Sequence, residues 1–306
     1  MQLPKRVQLK EVGPRDGLQN EKAFIPTADK IQLIDRLSET GLDYIEVTSF
    51  VHPKWIPQLA DAVDVLKAIK RNKNVTYAAL VPNAKGLERA LEANIDEVSV
   101  FMSASEGHNR SNINKSIDET FPILKEVVDG ALAAGKTVRG YISTAIACPY
   151  DGYTEPAQVV RVAEKLFNMG ITEISLGDTI GVGVPTQVDA LLTEMLRHYT
   201  PQQLAMHFHD TRGTALANVV TSLTHGITKF DSAIGGLGGC PYAKGASGNV
   251  ATEDLLYLLH EMGIETGVQL ERISEAALSI EGVLGKKLLS KQVTIARGEE
   301  LSCQTS

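Results

Sequence analysis

The sequence contains little cysteine and few aromatic residues. Aromatic residues make up 5% of its 306 residues, and the three cysteines are Cys148, Cys240 and Cys303. Three scattered cysteines give neither the spacing of a zinc cluster nor a disulfide framework. The sequence also lacks an apolar run near the roughly 18 residues that suggest a membrane span, so we expect no membrane partner.

Basic segments and targeting signals are missing as well. The chain has 30 Lys and Arg residues against 37 Asp and Glu residues, which gives a net charge of −7. This balance argues against nucleic acid as a partner. Residues 1–10 have neither the apolar core of a signal peptide nor the Arg- and Ser-rich composition of a transit peptide. We therefore predict a cytoplasmic protein.

What the sequence does contain is a pattern that repeats about every 30 residues, in which a β-rich run precedes a polar loop and an amphipathic helix. Nearly continuous apolar runs are typical of parallel strands covered on both faces. The predicted strands are Val7–Val12, Tyr44–Phe50, Thr76–Val81, Glu97–Met102, Val138–Thr144, Glu173–Leu176, Leu204–His209 and Lys229–Ile234.

Glycines mark the ends of the intervening helices. The helices predicted most clearly are Asp29–Thr40, Ile117–Ala134, Pro156–Met169 and Leu216–His225, and each is followed directly by glycine, the usual left-handed cap. Eight strand–helix alternations predict an α/β protein with a (β/α)8 TIM barrel. A doubly wound open sheet is the alternative, and the absence of GxGxxG from the first turn makes it less favoured.

The predicted barrel spans residues 1–264, and residues 265–306 form a helical extension that is not an independent domain. The segment Leu270–Leu284 has the pattern of an amphipathic helix. Its apolar face can cover either the barrel or a second subunit. If this face covers a second subunit, we expect a homodimer.

Residues at the carboxyl ends of barrel strands face the active site. His207 and His209 stand two apart at the end of strand seven and should project to the same side, as a chelating pair does. Arg15 and Asp16 follow strand one, where Asp16 can supply an oxygen ligand and Arg15 a fixed positive charge. Asn249 is either a fourth ligand or a helix cap.

One aspartate, two histidines and one asparagine leave two positions open in an octahedral metal site. A substrate with neighbouring oxygens can fill both. Oxygen ligands and open octahedral positions suit Mg²⁺, whereas imidazoles favour Mn²⁺. We therefore predict a divalent cation, Mg²⁺ or Mn²⁺.

Further polar residues occur in the predicted strands. Strand two carries Glu46 and Ser49, and strand six ends in Asp178 and Thr179. A carboxylate inside a barrel must be paired or catalytic, because an unpaired buried charge is costly. Glu11 and Arg139, which lie on other strands, can supply such pairing.

The loop after strand eight has four glycines in five residues, from Gly235 to Gly239, and then Cys240. It can form a phosphate cradle, which barrels often place after strands seven and eight, or a mobile lid that carries Cys240 to a substrate. We favour a catalytic thiol at Cys240. Cys148 is a weaker candidate because no glycine flanks it.

Three segments together resemble the 3-hydroxy-3-methylglutaryl-CoA lyase family: Gly13–Glu21, His207–Thr211 and Gly236–Tyr242. The resemblance extends from about Val7 to about Met262. The histidine pair and the Arg-Asp pair are shared with a wider superfamily of metal-dependent barrel enzymes that includes isopropylmalate and homocitrate synthases. The glycine-rich Cys-Pro-Tyr loop is specific to the lyases.

The resemblance implies an acyl-CoA substrate and its retro-Claisen cleavage to acetoacetate and acetyl-CoA, as in leucine breakdown. It implies metal ligation by Asp16, His207, His209 and Asn249, and roles in catalysis for Arg15, Cys240, Glu46 and Asp178. Substrate binding is assigned to Arg15, Gln19, Ser49, Arg139 and Thr179, and support of the site to Glu253 and to Glu11, which would orient Arg15. Candidates to bind the CoA nucleotide are Lys54, Asn109, Arg110 and Lys115.

Three other activities remain open at this point. They are a lyase for a longer branched 3-hydroxyglutaryl-CoA, a metal-dependent aldolase for a hydroxy-oxo acid, and an acyl-CoA-condensing synthase. The aldolase has no need of the cysteine loop, because a pyruvate enolate can be held by the metal itself. The synthase is disfavoured because the chain has no room for a regulatory domain.

Overall fold

The computed structural model describes residues 3–239 and 248–304, and there eight parallel strands close into a barrel. Each strand pairs with the next one along the chain, and the last pairs with the first. The strands are β1 (Gln8–Glu11), β2 (Tyr44–Ser49), β3 (Thr76–Leu80), β4 (Glu97–Ser103), β5 (Thr137–Ser143), β6 (Glu173–Asp178), β7 (Leu204–Phe208) and β8 (Lys229–Ser232). The TIM barrel is thus confirmed, and every predicted strand is present to within two residues.

The described helices surround the barrel, and all but the last three lie between successive strands. They are α1 (Thr27–Leu37), α2 (Ala62–Ala68), α3 (Ala84–Glu92), α4 (Glu106–Ile113), α5 (Ile117–Ala133), α6 (Pro156–Phe167), α7 (Pro185–Met195), α8 (Ala215–Thr224), α9 (Thr252–Glu261), α10 (Leu270–Leu284) and α11 (Lys291–Gln304). A short antiparallel hairpin, Ala147–Cys148 with Gly152–Tyr153, follows β5.

Local chemistry explains where several helices begin and end. The side chains of Ser116 and Glu119 form a capping box at the start of α5. Proline occupies the first position of α6 and of α7, where its missing N–H is not needed. The glycines expected to end four helices all have positive φ, which favours glycine: Gly41, Gly135, Gly170 and Gly226.

The strands are buried on both faces, since the barrel interior lies on one side and the helical layer on the other. Every residue of β2 and of β6 is buried, including the polar ones. This arrangement accounts for the nearly continuous apolar runs of the sequence. Among the helices of residues 3–239 and 248–304, none has the length and apolar character needed to cross a membrane.

The C-terminal extension packs onto the barrel. Helix α10 lies against α1, and its apolar residues Ile273, Ala277 and Ile280 are buried in this chain. The face that suggested a homodimer is therefore covered by the barrel itself and gives no argument for a second subunit. Helix α11 was not predicted separately, because its apolar residues show little periodicity; the Arg297–Glu281 ion pair fastens it to α10.

Candidate active site

Three predicted ligands meet at the carboxyl end of the barrel. One potential ligand atom from each of Asp16, His207 and His209 lies within 4.8 Å of the other two. Asp16 belongs to a π-helical turn, Gly13–Gly17, directly after β1. His207 is in β7 and His209 follows it, and their ring centroids are 5.3 Å apart. The two-residue spacing thus places both rings on one side, as predicted.

Asn249 joins this cluster through backbone pairing. The strand-like segment at residues 248–250 forms a bridge with the end of β7, where Asn249 pairs with His209. Asn249 Nδ2 donates hydrogen bonds to Asp16 Oδ2 at 2.8 Å and to the carbonyl oxygen of Leu237 at 3.0 Å. Asn249 does not cap the next helix, because α9 begins at Thr252 and Ala251 occupies its N-cap position.

The donor set fits a divalent cation. Within residues 3–239 and 248–304, the buried atoms Asn249 Oδ1 and His209 Nδ1 have no hydrogen-bond partner. Burial, followed by the charge of His207, lowers the pKa of His209 to about 4, so the ring is neutral at pH 7. Burial raises the pKa of Asp16, but Arg15, the two histidines and the hydrogen bond from Asn249 together lower it to about 2. A carboxylate, neutral imidazoles and an amide oxygen are suitable ligands for Mg²⁺ or Mn²⁺.

A second aspartate, which sequence reasoning missed, holds His207. Asp231 Oδ2 in β8 lies 3.1 Å from His207 Nδ1, while His207 Nε2 faces Asp16 Oδ2 at 3.9 Å. An acidic residue on a predicted barrel strand was a usable signal, since the same reasoning drew attention to Glu46.

Arg15 is fixed beside the cluster by two carboxylates. Its Nε lies 2.5 Å from Glu46 Oε2, and its Nη1 lies 2.6 Å from Asp16 Oδ1. The Tyr141 hydroxyl donates to Glu46 Oε2 at 3.2 Å, and the Tyr141 ring centroid lies 5.4 Å from the guanidinium carbon. Glu46 is fully buried behind Arg15, and Tyr141 is a further site residue that the sequence did not reveal.

A cavity of about 680 Å³ opens over the cluster. Three predicted residues besides the ligands and Arg15 line it, namely Gln19, Thr179 and Lys54. Gln19 Nε2 also donates to Asp16 Oδ1 at 2.8 Å. The remaining wall includes apolar side chains, among them Leu80, Trp55, Phe101 and Ile142.

Four predicted residues lie elsewhere. Arg139 is wrong as a substrate ligand: it is fully buried near the amino end of β5, where Glu173 and Asp231 bind it. Ser49 Oγ is buried and accepts the Val51 amide hydrogen, so it does not line the cavity.

The other two residues organise loops. Asp178 accepts hydrogen bonds from the amides of Val182 and Gly183 and thus shapes the loop after β6. Buried Asn109 binds the Ser103 amide and the Thr120 hydroxyl, so it is not placed to bind a CoA nucleotide.

Two buried glutamates organise the backbone around the site. Glu11 Oε1 accepts the amide hydrogens of Gly13 at 2.7 Å and Ile234 at 2.9 Å, and Glu253 accepts that of Gly235. In the described part of the chain, Glu11 accepts hydrogen bonds from the Gly13 and Ile234 amides and the Thr252 hydroxyl, and it does not contact the Arg15 guanidinium. Burial raises the pKa of Glu11 to about 7 and that of Glu253 to about 8.

The predicted thiol, Cys240, lies outside the described residues. Gly239, directly before it, lines the cavity, and the Asn20 side chain donates to the Gly239 carbonyl oxygen at 2.9 Å. Cys148 is buried, its Sγ accepts two backbone amide hydrogens, and it does not line the cavity.

The C-terminal extension supports the same glycine-rich loop. Leu288 packs against Gly235, and the Leu289 amide donates to the Gly235 carbonyl oxygen at 3.2 Å. Gly235 has a φ of 65°. The extension thus forms part of the wall behind the active site.

Comparisons with known proteins agree on one family. A family model described as HMGL-like matches residues 6–280. Hydroxymethylglutaryl-CoA lyase YngG of Bacillus subtilis is 58% identical over 295 residues, which cover 96% of this chain and 99% of that protein. The 3-hydroxy-3-isohexenylglutaryl-CoA/hydroxy-methylglutaryl-CoA lyase of Pseudomonas aeruginosa is 54% identical over 286 residues, covering 94% and 95% of the two chains. The crystal structure of the Bacillus subtilis HMG-CoA lyase matches with a TM-score of 0.96 and 58% identity, over 97% of this chain and 100% of that one.

Proposed function

The chain belongs to the HMGL-like family, and on that premise we propose that it cleaves 3-hydroxy-3-methylglutaryl-CoA to acetoacetate and acetyl-CoA. The observation that carries the proposal is the cluster of Asp16, His207 and His209 beside Arg15 on the wall of one cavity. This cluster combines a cation site with a fixed positive charge, which are the two elements that a retro-Claisen cleavage needs.

We assign metal binding to Asp16, His207, His209 and Asn249, and Mg²⁺ or Mn²⁺ to the site. When bound, the ion supplies Lewis acidity, which lowers the pKa of a substrate hydroxyl and orients a neighbouring carboxylate. Of the two candidates to accept the proton of the C3 hydroxyl, Asp16 and His207, we favour the Asp16 carboxylate, because His207 Nδ1 contacts Asp231 and its Nε2 faces the cation site.

Arg15 is assigned to the charge that develops during cleavage. When the bond between C2 and C3 breaks, its electrons move into the thioester and the carbonyl oxygen becomes an enolate oxygen. Burial opposes the charge of Arg15, but the carboxylates of Glu46 and Asp16 outweigh burial and raise the pKa of the guanidinium above its usual value. A permanently charged group that is already fixed stabilises the enolate without rearranging.

The C2 carbanion then needs a proton, and we assign its delivery to Cys240. An ordinary thiol has a pKa of about 8.5 and is therefore protonated at neutral pH. Gly239 lines the cavity, so the chain enters this segment next to the substrate. Exclusion of water by the loop would keep the enolate from being protonated out of sequence.

The test is a direct assay for acetoacetate. The purified protein is incubated with 3-hydroxy-3-methylglutaryl-CoA and Mg²⁺ or Mn²⁺, and in parallel with EDTA. We expect acetoacetate and acetyl-CoA in equal amounts with the metal ion and little product with EDTA. Protein that binds Mn²⁺ but releases no acetoacetate would contradict the proposed substrate.

A second substrate is supported by the cavity wall. Leu80, Phe101 and Ile142 give the cavity apolar surface on which a longer branched acyl chain can pack. The Pseudomonas aeruginosa relative is named for both the isohexenyl and the methyl substrate. Assay of the isohexenyl thioester beside the methyl one measures this preference as a ratio of kcat/KM values.

We also propose that the protein is a homodimer. Its C-terminal helices expose the apolar side chains of Val283 and Ile295, and Leu289 is exposed between them. Sedimentation equilibrium measures the mass of the assembly in solution, and a monomer of 33.0 kDa would contradict this proposal.

A further inference from the structure

A buried network of hydrogen bonds and ion pairs lies beneath the proposed metal site, inside the barrel. Asp231 Oδ2 contacts His207 Nδ1 at 3.1 Å and accepts a hydrogen bond from Ser175 Oγ at 2.7 Å. The other oxygen of Asp231 lies 2.6 Å from Arg139 Nη2. The side chains of Arg139 and Asp231 are both 0% exposed, so neither contacts solvent or substrate.

We propose that Asp231 is a positioning residue that fixes His207 in the tautomer with its proton on Nδ1, and that Arg139 holds Asp231 in the acceptor role this requires. The inference rests on the metal site proposed above. It extends that site to two residues on β8 and β5 that reach the cation only through His207.

The hydrogen-bond partners of Asp231 determine the direction of its contact with His207. Arg139 and the Ser175 hydroxyl both donate to the carboxylate, and a charged carboxylate can only accept. The ion pair with Arg139, at 2.6 Å, favours the charged form of Asp231. His207 Nδ1 must therefore supply the hydrogen in the remaining contact.

The opposite ring nitrogen is then free to coordinate a cation. With the proton on Nδ1, the lone pair belongs to Nε2, which lies 3.9 Å from Asp16 Oδ2. That distance is too long for a hydrogen bond, and a cation between the two atoms would be held by both. A carboxylate behind a ligating histidine fixes the ring and raises its basicity.

The carboxylates of Asp231 and Glu173 balance the charge of Arg139, which allows the guanidinium to remain in the interior. Its Nε lies 2.7 Å from Glu173 Oε1, and Lys10 Nζ contacts the same oxygen at 2.7 Å. The position of Arg139 explains why the guanidinium serves Asp231 instead of a substrate. Removal of Arg139 would leave the buried Asp231 carboxylate without its cation, whereas Glu173 would keep Lys10 and Lys229.

The tautomer can be measured without metal or substrate. Long-range ¹H–¹⁵N correlation spectra of the metal-free wild-type protein distinguish a protonated ring nitrogen from one that carries a lone pair. The His207 signals are assigned by their loss in the His207→Gln variant. We expect His207 to carry its proton on Nδ1, and a proton on Nε2 would overturn the inference.

Substitution of Asp231 by asparagine tests the consequence for the metal. The amide of Asp231→Asn can donate to Nδ1, which would move the ring proton to Nε2 and block coordination. We expect Mn²⁺ affinity, measured by electron paramagnetic resonance titration, to fall about 10- to 100-fold. The matched control is Asp189→Asn, because Asp189 pairs with His225 at 2.8 Å outside the barrel; it should leave the affinity unchanged.

The outcomes separate this inference from the metal site itself. Unchanged Mn²⁺ affinity in folded Asp231→Asn overturns the inference. Wild-type protein that binds no Mn²⁺ refutes the metal site, and the His207 tautomer then decides the inference alone. If Asp231→Asn does not fold, Ser175→Ala replaces it, because this variant removes one hydrogen bond to Asp231 Oδ2 without changing the charge. We then expect a two- to tenfold loss of Mn²⁺ affinity, about what one hydrogen bond contributes. Unchanged affinity in Ser175→Ala would count against the inference.

Discussion

Arg15 Nε lies 2.5 Å from Glu46 Oε2 across the interior of the barrel, and both side chains are buried. The pair fixes the guanidinium from behind, while Asp16 fixes it from the metal side. A charged group held in this way changes little when substrate binds. It therefore contributes most to the step in which negative charge develops.

Replacing Arg15 should affect turnover far more than binding. For Arg15→Gln we expect kcat to fall at least about 100-fold with a small change in KM, because the lost interaction strengthens in the transition state. Steady-state kinetics over a range of substrate concentrations checks this. Arg161→Gln, a change on the exposed face of α6, is the control and should retain full activity. A loss confined to KM would make Arg15 a substrate-binding residue.

The role of Cys240 can be isolated from the metal site. Cys240→Ser should lower kcat by about 100-fold or more, since a hydroxyl is a much weaker acid than a thiol. Mn²⁺ affinity should stay unchanged. Cys148→Ser keeps an acceptor for the Tyr150 and Asp151 amides and should stay active. Turnover close to wild type in Cys240→Ser would remove this residue from the mechanism.

His209 should be needed for metal affinity. His209→Ala removes one neutral imidazole from the cluster, and we expect Mn²⁺ to bind roughly 100-fold more weakly or not at all. Isothermal titration with Mn²⁺ measures the change. His198→Ala, which removes an exposed histidine beside Glu194, should bind Mn²⁺ as wild type does. Equal affinity in both variants would contradict the ligand assignment.

Gly235 and Gly213 provide a matched test of how the extension packs on the loop. Both have left-handed φ, at 65° and 70°, but a Cβ at position 235 would lie 3.0 Å from Leu288 Cγ, whereas one at 213 would meet nothing within 4 Å. Gly213→Ala should cost about 1–2 kcal/mol for the backbone alone. Gly235→Ala should cost about 1–3 kcal/mol more because of the collision.

Urea unfolding gives both free energies directly. Adding Leu288→Ala to Gly235→Ala should then relieve the steric part, so that the two changes together cost less than their sum. Equal destabilisation by the two glycine substitutions would show that Leu288 moves aside freely.

The raised pKa of Glu253 predicts a loss of stability at alkaline pH. Burial raises this pKa from 4.5 to about 8, so the folded protein binds a proton there that the unfolded chain has already released. The stabilisation is complete below about pH 4.5 and is lost as pH rises through about 8. Glu253→Gln cannot titrate, and its free energy of unfolding should fall less than that of wild type between pH 6 and pH 9, to be measured at a roughly constant ionic strength.

The control for this pH dependence is Glu126→Gln on the exposed side of α5, which removes one charge without altering Glu253. It should keep the wild-type slope. A parallel decline in wild type and Glu253→Gln would show that other groups determine the stability between neutral and alkaline pH.

The barrel was predictable because its signals are local. Period-two or continuous apolar runs, and a glycine after each helix, are properties of short segments. The histidine pair was predictable for the same reason, since a strand places His207 and His209 on one side whatever surrounds it. Asp16 could be added because it follows a strand, and all carboxyl ends of a parallel barrel meet at one face.

Errors arose where a role depends on register or on a distant partner. Arg139 occurs on a predicted strand, but whether its side chain lies near the carboxyl or amino end depends on where β5 begins. Asp231 was overlooked because its importance comes from His207, 24 residues earlier and on the neighbouring strand. Tyr141 likewise gains its place only from Glu46 across the barrel.

The interior ion network also has a consequence for biosynthesis. Arg139 leaves the ribosome 92 residues before Asp231, which at about 5–20 residues per second is a wait of roughly 5–20 seconds. During that time the nascent chain grows from five barrel strands to seven, and Arg139, which still lacks Asp231, must stay hydrated. The barrel interior can therefore lose its water only when β8 brings Asp231 to Arg139. Closure of the barrel and neutralisation of Arg139 then form a single cooperative event.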